Sequence, residues 1–367
     1  MPPFSLATLE DDALRMICDW LSNPLAPSLA VALSSCSRGL RRVLEAQLRR
    51  LKERRQKAEE MCATISEVHW DTWSCAKLYE TATLHWNTLG QALYRNVNYY
   101  YSPGVRRASL PPCPCTETMG MLLATNAMPQ LREIDLSDNT YYNPQGGSSR
   151  YDSEGELRCT GSRHGDKVVR WLFGELGQRA LPMLKKLQLN TSDIGNAGAA
   201  TLAAAFSRGA MPTLEELHLR GRCRHWREVG TNWIGDEGMV ALAASLRQHT
   251  TLRVLHLRDN AIGDEGVAAL VAPGEGVLPK LEDLYLNENR ITDVGCESLV
   301  AGLLRGALPS LYMLKVQPNE LASEASLAAV MAARPSLDEY YNDPDEDDDT
   351  DWATSDDDDD DDDDDDE

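Results

Sequence analysis

No stretch of this 367-residue chain comes near the roughly eighteen consecutive apolar residues that a membrane helix needs. The opening MPPFSLATLEDD likewise lacks the basic run and the apolar run of a secretory leader. The nine cysteines are odd in number and irregular in spacing, so they do not make the disulfide framework of a small secreted domain and point instead to a reducing compartment. Cys113 and Cys115 stand too close together for the usual paired zinc ligands, and no second close pair completes a tetrahedral set. Pro273-Gly274-Glu275-Gly276 lacks the Lys and hydroxyl of a phosphate loop. None of the seven histidines lies in a GxSxG, HExxH or Cys-His signature. The expectation is a soluble protein of the cytoplasm or nucleus, with no membrane contact, no cofactor, no metal and no catalytic activity.

Basic residues are also missing from one place. Residues 343–367 hold 19 of the 58 acidic residues and no Lys or Arg. Outside that segment 39 acids face 36 bases, so the net charge of −22 shrinks to −3 and the body is nearly neutral. Eleven consecutive Asp and a closing Glu repel one another and have nothing apolar to bury, so 338–367 is expected to be a disordered acidic tail. Three roles are open to it: solubility, attraction of basic proteins in a chaperone-like way, or folding back onto an Arg-rich helix.

What the chain does have is a frame that returns six times: an aliphatic residue, two variable ones, a second aliphatic, one variable, a third aliphatic. The copies are Leu131-Ile134-Leu136, Leu184-Leu187-Leu189, Leu214-Leu217-Leu219, Leu252-Leu255-Leu257, Leu281-Leu284-Leu286 and Leu311-Leu314-Val316. One such unit cannot bury its apolar face alone and must stack on its neighbours. Alternation at Leu255, His256, Leu257 and Arg258 marks a half-buried strand. Asn260 is suited to the turn that leaves it, and Asp264 to capping the helix that follows. Gly266, Ala268 and Ala269 would keep that helix thin enough to lie close behind the strand. The fold class is therefore α/β, a solenoid with one strand and one helix per unit, over residues 131–337. Two insertions interrupt it, about 141–164 and about 222–231; the aromatics Trp226 and Trp233 in and beside the second could anchor a partner at the rim.

Residues 1–65 read differently, as a helical module. Leu14, Ile17 and Leu21 recur at helical spacing, and Leu29 to Leu51 carry that spacing into a long helix with nine bases between Arg38 and Lys57. Residues 66–130 read as a degenerate first repeat, with a strand near Leu84-His85-Trp86-Asn87, a helix from Thr118 to Met128 and an inserted loop from Asn98 to Cys115. The basic helix could touch phosphate non-specifically, but nucleic acid is not expected of so acidic a chain.

The frames LxxLxLxxNxIGDEG from Leu252 and LxxLxLNENRITDVG from Leu281 resemble leucine-rich repeats of the ribonuclease-inhibitor type. That resemblance implies a horseshoe with parallel strands on its concave face, helices outside, and protein partners bound in the concavity. Residues 6–41 resemble an F-box, with Leu6, Asp12, Leu14, Ile17 and Leu21 in place, Ala7 where Pro is usual and Gly39 where an aromatic is common. This implies a substrate receptor joined to a ubiquitin ligase adaptor through Leu14, Ile17 and Leu21. The pairing of repeats with an acidic tail is similar to the Ran GTPase-activating proteins, which would imply a small GTPase as partner. Whichever applies, the variable strand positions Gln188, Asn190, His218, Arg220, His256, Arg258, Tyr285 and Asn287 are the candidate partner-binding residues. His218, Arg220, His256 and Arg258, flanked by Lys186 and Glu216, would form a basic centre suited to an acidic partner or a phosphate.

Overall fold

The computed structural model of the chain describes residues 13–14, 16–18, 22–35, 38–68, 73–85, 114–137, 164–221, 232–247, 249–273 and 278–337. From Thr83 onward strand and helix alternate. The strands are β1 (Thr83–His85), β2 (Glu133–Asp135), β3 (Lys186–Gln188), β4 (Glu216–His218), β5 (Val254–His256), β6 (Asp283–Tyr285) and β7 (Met313–Lys315). Each pairs in parallel with the next, so the order in the sheet is the order in the chain. Parallel neighbours need a crossover, and a helix supplies one at every step: α5 (Pro114–Ala124), α6 (His164–Phe173), α7 (Asn196–Ser207), α8 (Asp236–Leu246), α9 (Asp264–Leu270) and α10 (Asp293–Leu304), with α11 (Glu324–Ala333) after β7.

The register is identical throughout. Leu84, Ile134, Leu187, Leu217, Leu255, Leu284 and Leu314 stand opposite one another in a single row. None of the eighteen frame side chains is more than 4% exposed, because all are turned to the helix side of the sheet. At roughly 2 kcal/mol for each fully buried Leu, this row and the rows beside it are the main source of cohesion. The degenerate strand expected near Leu84 is present, one residue earlier than the Leu84–Asn87 reading, and makes a seventh member beyond the six frames.

Polar side chains tie each unit to its neighbour. Asn260 Oδ1 accepts from the Ile234 amide at 3.0 Å, and its Nδ2 donates to the carbonyls of Leu219, Leu257 and Arg258. Asn232, Asn289 and Asn319 repeat the pattern in their own units. Asp264, expected to cap its own helix, does something else. The residue before α9 is Gly263, with no side-chain cap, and the Asp264 carboxylate reaches the next unit, accepting from Thr292 N at 2.9 Å and Thr292 Oγ1 at 2.7 Å. Asp166 and Asp236 act in the same way on Gly195 and Gly198, and on Gly263 and Gly266. A side chain in the first helical turn points back toward the helix start, which lies beside the adjoining helix start. Gly266 is likewise thin toward its neighbour helix rather than toward the strand: a Cβ there would lie 3.0 Å from Met239 Cβ and 2.8 Å from Asp236 Oδ1.

Before the sheet come α1 (Ser28–Ser35), α2 (Arg38–Val43), α3 (Glu45–Val68) and α4 (Cys75–Glu80). Leu14, Cys18, Ala30, Leu33, Leu44 and Leu51 form a small apolar cluster of their own. Ala58, Met61, Cys62 and Ile65, on the second half of α3, join the cluster that runs through the repeats. The expected module boundary at 65 thus falls inside a helix shared by both cores. Asn23 Nδ2 donates to Ala127 O at 3.0 Å and Arg55 Nη1 to Leu25 O at 2.6 Å, fixing the entry turn against the repeat body.

Candidate protein-binding face

Because the register never slips, side chains on the sheet face turned away from the helices also line up in rows. One row runs Asp135, Gln188, His218, His256, Tyr285, Lys315; another runs Glu133, Lys186, Glu216, Val254, Asp283, Met313. In the first row three flat side chains fall on adjacent strands. The spacing between strands, about 4.8 Å, is close to the separation of stacked rings. His218 and His256 stack at 5.9 Å between centroids, and His256 and Tyr285 at 4.3 Å.

Stacking has a consequence for exposure. His256 and Tyr285, expected to stand open to solvent, are only 2% and 6% exposed, and Asn287 is buried beside them. Gln188, Asn190, His218, Arg220 and Arg258 are part-exposed. The structure therefore brings together the candidates on β4, β5 and β6, but as a covered ring column edged by arginines rather than four open bases. Asn190 Oδ1 accepts from the Arg220 amide at 3.0 Å, holding the exit of β4. Among the described residues, His218 Nδ1 and Asn287 Oδ1 are buried without a hydrogen-bond partner.

Charge on this face is graded. At the strand starts Lys186 Nζ lies 3.4 Å from Glu216 Oε2, and His218 Nε2 lies 3.3 Å from the same oxygen. The hydrogen bond to His218, with Lys186 alongside, holds the Glu216 carboxyl below the usual carboxylate range. Burial, reinforced by neighbouring Glu282, pushes the Asp283 carboxyl up. At the strand exits Arg220 and Arg258 occupy equivalent positions in adjoining units, so positive charge gathers there.

The remaining candidates lie apart. Leu14 is turned into the small helical cluster and is 6% exposed; Ile17 packs against it half-buried, and Leu21 falls outside the described residues. Trp233 is 45% exposed beside the second insertion, while Trp226, both insertions and the acidic tail fall outside the described residues. His249 is a core residue, edge-on to Phe206 at 5.1 Å, and its burial pushes its pKa down. Among the described residues no group of three or more His, Cys, Asp or Glu is placed to hold a metal ion, and no helix is long and apolar enough to cross a membrane. Sequence reading missed the ring column. Its signal was there, since His218, His256 and Tyr285 occupy one frame position in three successive copies.

Comparison with known proteins agrees with the repeats. Residues 228–243, 248–271 and 277–300 match the Leucine Rich repeat family model. Tubulin-folding cofactor E of Arabidopsis thaliana is 30% identical over 158 residues, which is 41% of this chain and 26% of that protein. The chain thus spans about a quarter of that relative's length. The chain carries leucine-rich repeats, modules of a class that binds proteins.

Proposed function

We propose that this chain is a non-catalytic interaction scaffold whose sheet face, centred on the ring column of β4 to β6, receives an acidic segment of a protein partner. The observation that carries the reading is the in-register row His218, His256, Tyr285 with Arg220 and Arg258 at the strand exits. The buried stack of His256 and Tyr285 keeps this face rigid, while part-exposed His218, Arg220 and Arg258 at its edge supply the contact and select for complementary charge. Substitution of Arg220→Glu with Arg258→Glu, followed by quantitative affinity purification, tests it. Selective loss of partners that the wild type retains is the expected outcome, and unchanged recovery would sink the idea.

In its sharpest form the scaffold is an adaptor that selects a client for ubiquitin ligation through the helical module at 1–65. What favours this is the F-box-like spacing, together with exposed Met16 and Leu29 on that module. Co-purification of a ligase adaptor, lost in Ile17→Asp, is the supporting result. The similarity to a tubulin-folding cofactor favours a second reading, in which the client is tubulin. Direct binding of purified tubulin to the full chain separates the two. A GTPase-regulating role rests on the repeats and the acidic tail, and accelerated hydrolysis by a Ran-type GTPase is its test.

A further inference from the structure

The Arg-rich stretch of α2 and α3 is not used by the sheet face. Residues 38–57 contain nine bases and two acids, a net of +7. The tail at 343–367 carries −19. Setting both aside leaves −10 for the rest of the chain, so net positive charge is concentrated in the α2–α3 stretch.

On α3 the bases flank the buried stripe on both sides, with Arg50, Arg54 and Lys57 on one flank and Lys52 on the other. Leu44, Gln47, Leu51 and Ala58 are buried, while Arg38, Arg41, Arg42 and Lys52 are exposed. Arg50, Arg54 and Lys57, spaced four and three apart, fall on one stripe beside α5 and line a cleft of about 240 Å³ with Glu53, Glu117 and Met121. Arg55 is spoken for, paired with Glu59 at 2.6 Å and bonded to the Leu25 carbonyl, and Arg49 meets Glu45 at 3.5 Å. Among the described residues no ion pair or hydrogen bond engages the side chains of Arg50, Arg54 or Lys57. Against Glu53 and Glu117 in the same cleft the three cations leave a net of +1 (3 − 2), and exposed Arg38, Arg41 and Arg42 on α2 add to the positive field that an anionic segment would neutralise.

We propose that the α2–α3 basic face, with the cleft beside α5, is the docking surface for the chain's own acidic segment, residues 343–367, held in cis. Reach permits it. Thirty residues beyond Leu337 extend up to about 100 Å, whereas six strand-to-strand steps come to about 29 Å and the whole of α3 to about 36 Å. A basic partner that captures the tail would uncover the face, and an acidic ligand would have to displace the tail to reach it. Docking of this kind is a salt-sensitive equilibrium.

Zero-length carbodiimide coupling of lysine amines to carboxylates in the full chain, read by mass spectrometry, tests the proposal. Tail carboxylates should couple chiefly to Lys57, which lines the cleft. The yield should be independent of protein dilution and fall several-fold between about 50 and about 500 mM salt. Arg50→Gln with Arg54→Gln should lower the Lys57 yield several-fold. Equal or greater coupling to Lys185, Lys186 or Lys315, coupling only between two chains, or indifference to those substitutions would overturn it. A second measurement avoids altering the face. In full chain with Asp356 to Asp366 all changed to Asn, a labelled ten-residue oligo-aspartate should bind at least tenfold tighter than to the wild type. Equal binding, or a single-stranded oligonucleotide that binds the wild type and the Asn-tail chain alike, would show that the tail does not cover the face.

Discussion

Asn260→Ala isolates the part played by one rung of the asparagine ladder. The Asn260 side chain makes four bonds, one accepted from Ile234 N–H and three donated to the carbonyls of Leu219, Leu257 and Arg258. Those carbonyls do not depend on it alone. Leu219 O also accepts from Asn232 Nδ2, Leu257 O from Asn289 Nδ2 and Arg258 O from Gly221 N. Only the buried Ile234 N–H is left without an acceptor, so the expected loss is that of one orphaned donor, about 1–3 kcal/mol, rather than the sum of four bonds. Amide hydrogen exchange reads this locally: protection of Ile234 should fall by about five- to a hundredfold, while urea unfolding followed by circular dichroism gives the global loss. Asn260→Asp sharpens the test. Its Oδ1 still accepts from Ile234, but a second charged oxygen then faces three carbonyls, so the folded form favours the protonated acid. For a group whose folded pKa is raised in this way, stability is lost as pH rises and recovered as pH falls. Asn260→Asp should therefore be less stable than Asn260→Ala at pH 7 and gain on it through the carboxylate range. An Ile234 amide still fully protected in Asn260→Ala, or an Asp variant as stable as wild type at pH 7, would refute the reasoning.

Two further outcomes follow from other layers of the fold. Gly266→Ala, which would favour an isolated helix by up to about 1 kcal/mol, should here cost about 1–3 kcal/mol in urea unfolding, because the new Cβ meets Met239 Cβ at 3.0 Å and Ile262 Cγ2 at 2.9 Å. A stabilised variant would mean that α8 and α9 do not approach so closely. Asp283→Asn should raise the melting temperature at pH 7 by about 1–3 °C, since burial disfavours the Asp283 anion and its raised pKa makes the charged form a liability to the fold. The advantage should close as pH falls through the carboxylate range and the wild-type acid takes up its proton. A constant gap would point to a cause other than ionisation.

The sheet was legible because its signal is redundant: six copies of one spacing define a row of leucines, and even the weak copy at Leu84 finds its place by pairing with Ile134. What connects the units was only half legible. Asn260 could be assigned to a turn from its residue type, since an amide both donates and accepts and turns leave both kinds of group unpaired. Asp264 could not, because the rule that places Asp at a helix start is silent on whether the carboxylate serves its own helix or the next, and here it serves Thr292. Burial on the sheet face was also out of reach. Alternation predicts that His256 leaves the core, which it does, but its 2% exposure depends on its surroundings in three dimensions, including rings on two neighbouring strands. Leu14 illustrates the converse: helical spacing shows an apolar stripe without saying whether it faces a partner or, as here, the module's own core.

The bonds around Asn232 carry a practical corollary. The chain leaves the sheet at Gly221 and resumes at Asn232, whose side chain donates to the carbonyls of Leu219 and Arg220 at 3.2 and 3.0 Å and accepts from the amides of Ser192 and Ile194. Departure and return are thus clamped together by one amide, so the number of residues between them enters stability only logarithmically. Position 222–231 is in that sense a cassette: sequences of other lengths could be exchanged there beside Arg220 without disturbing the strand register.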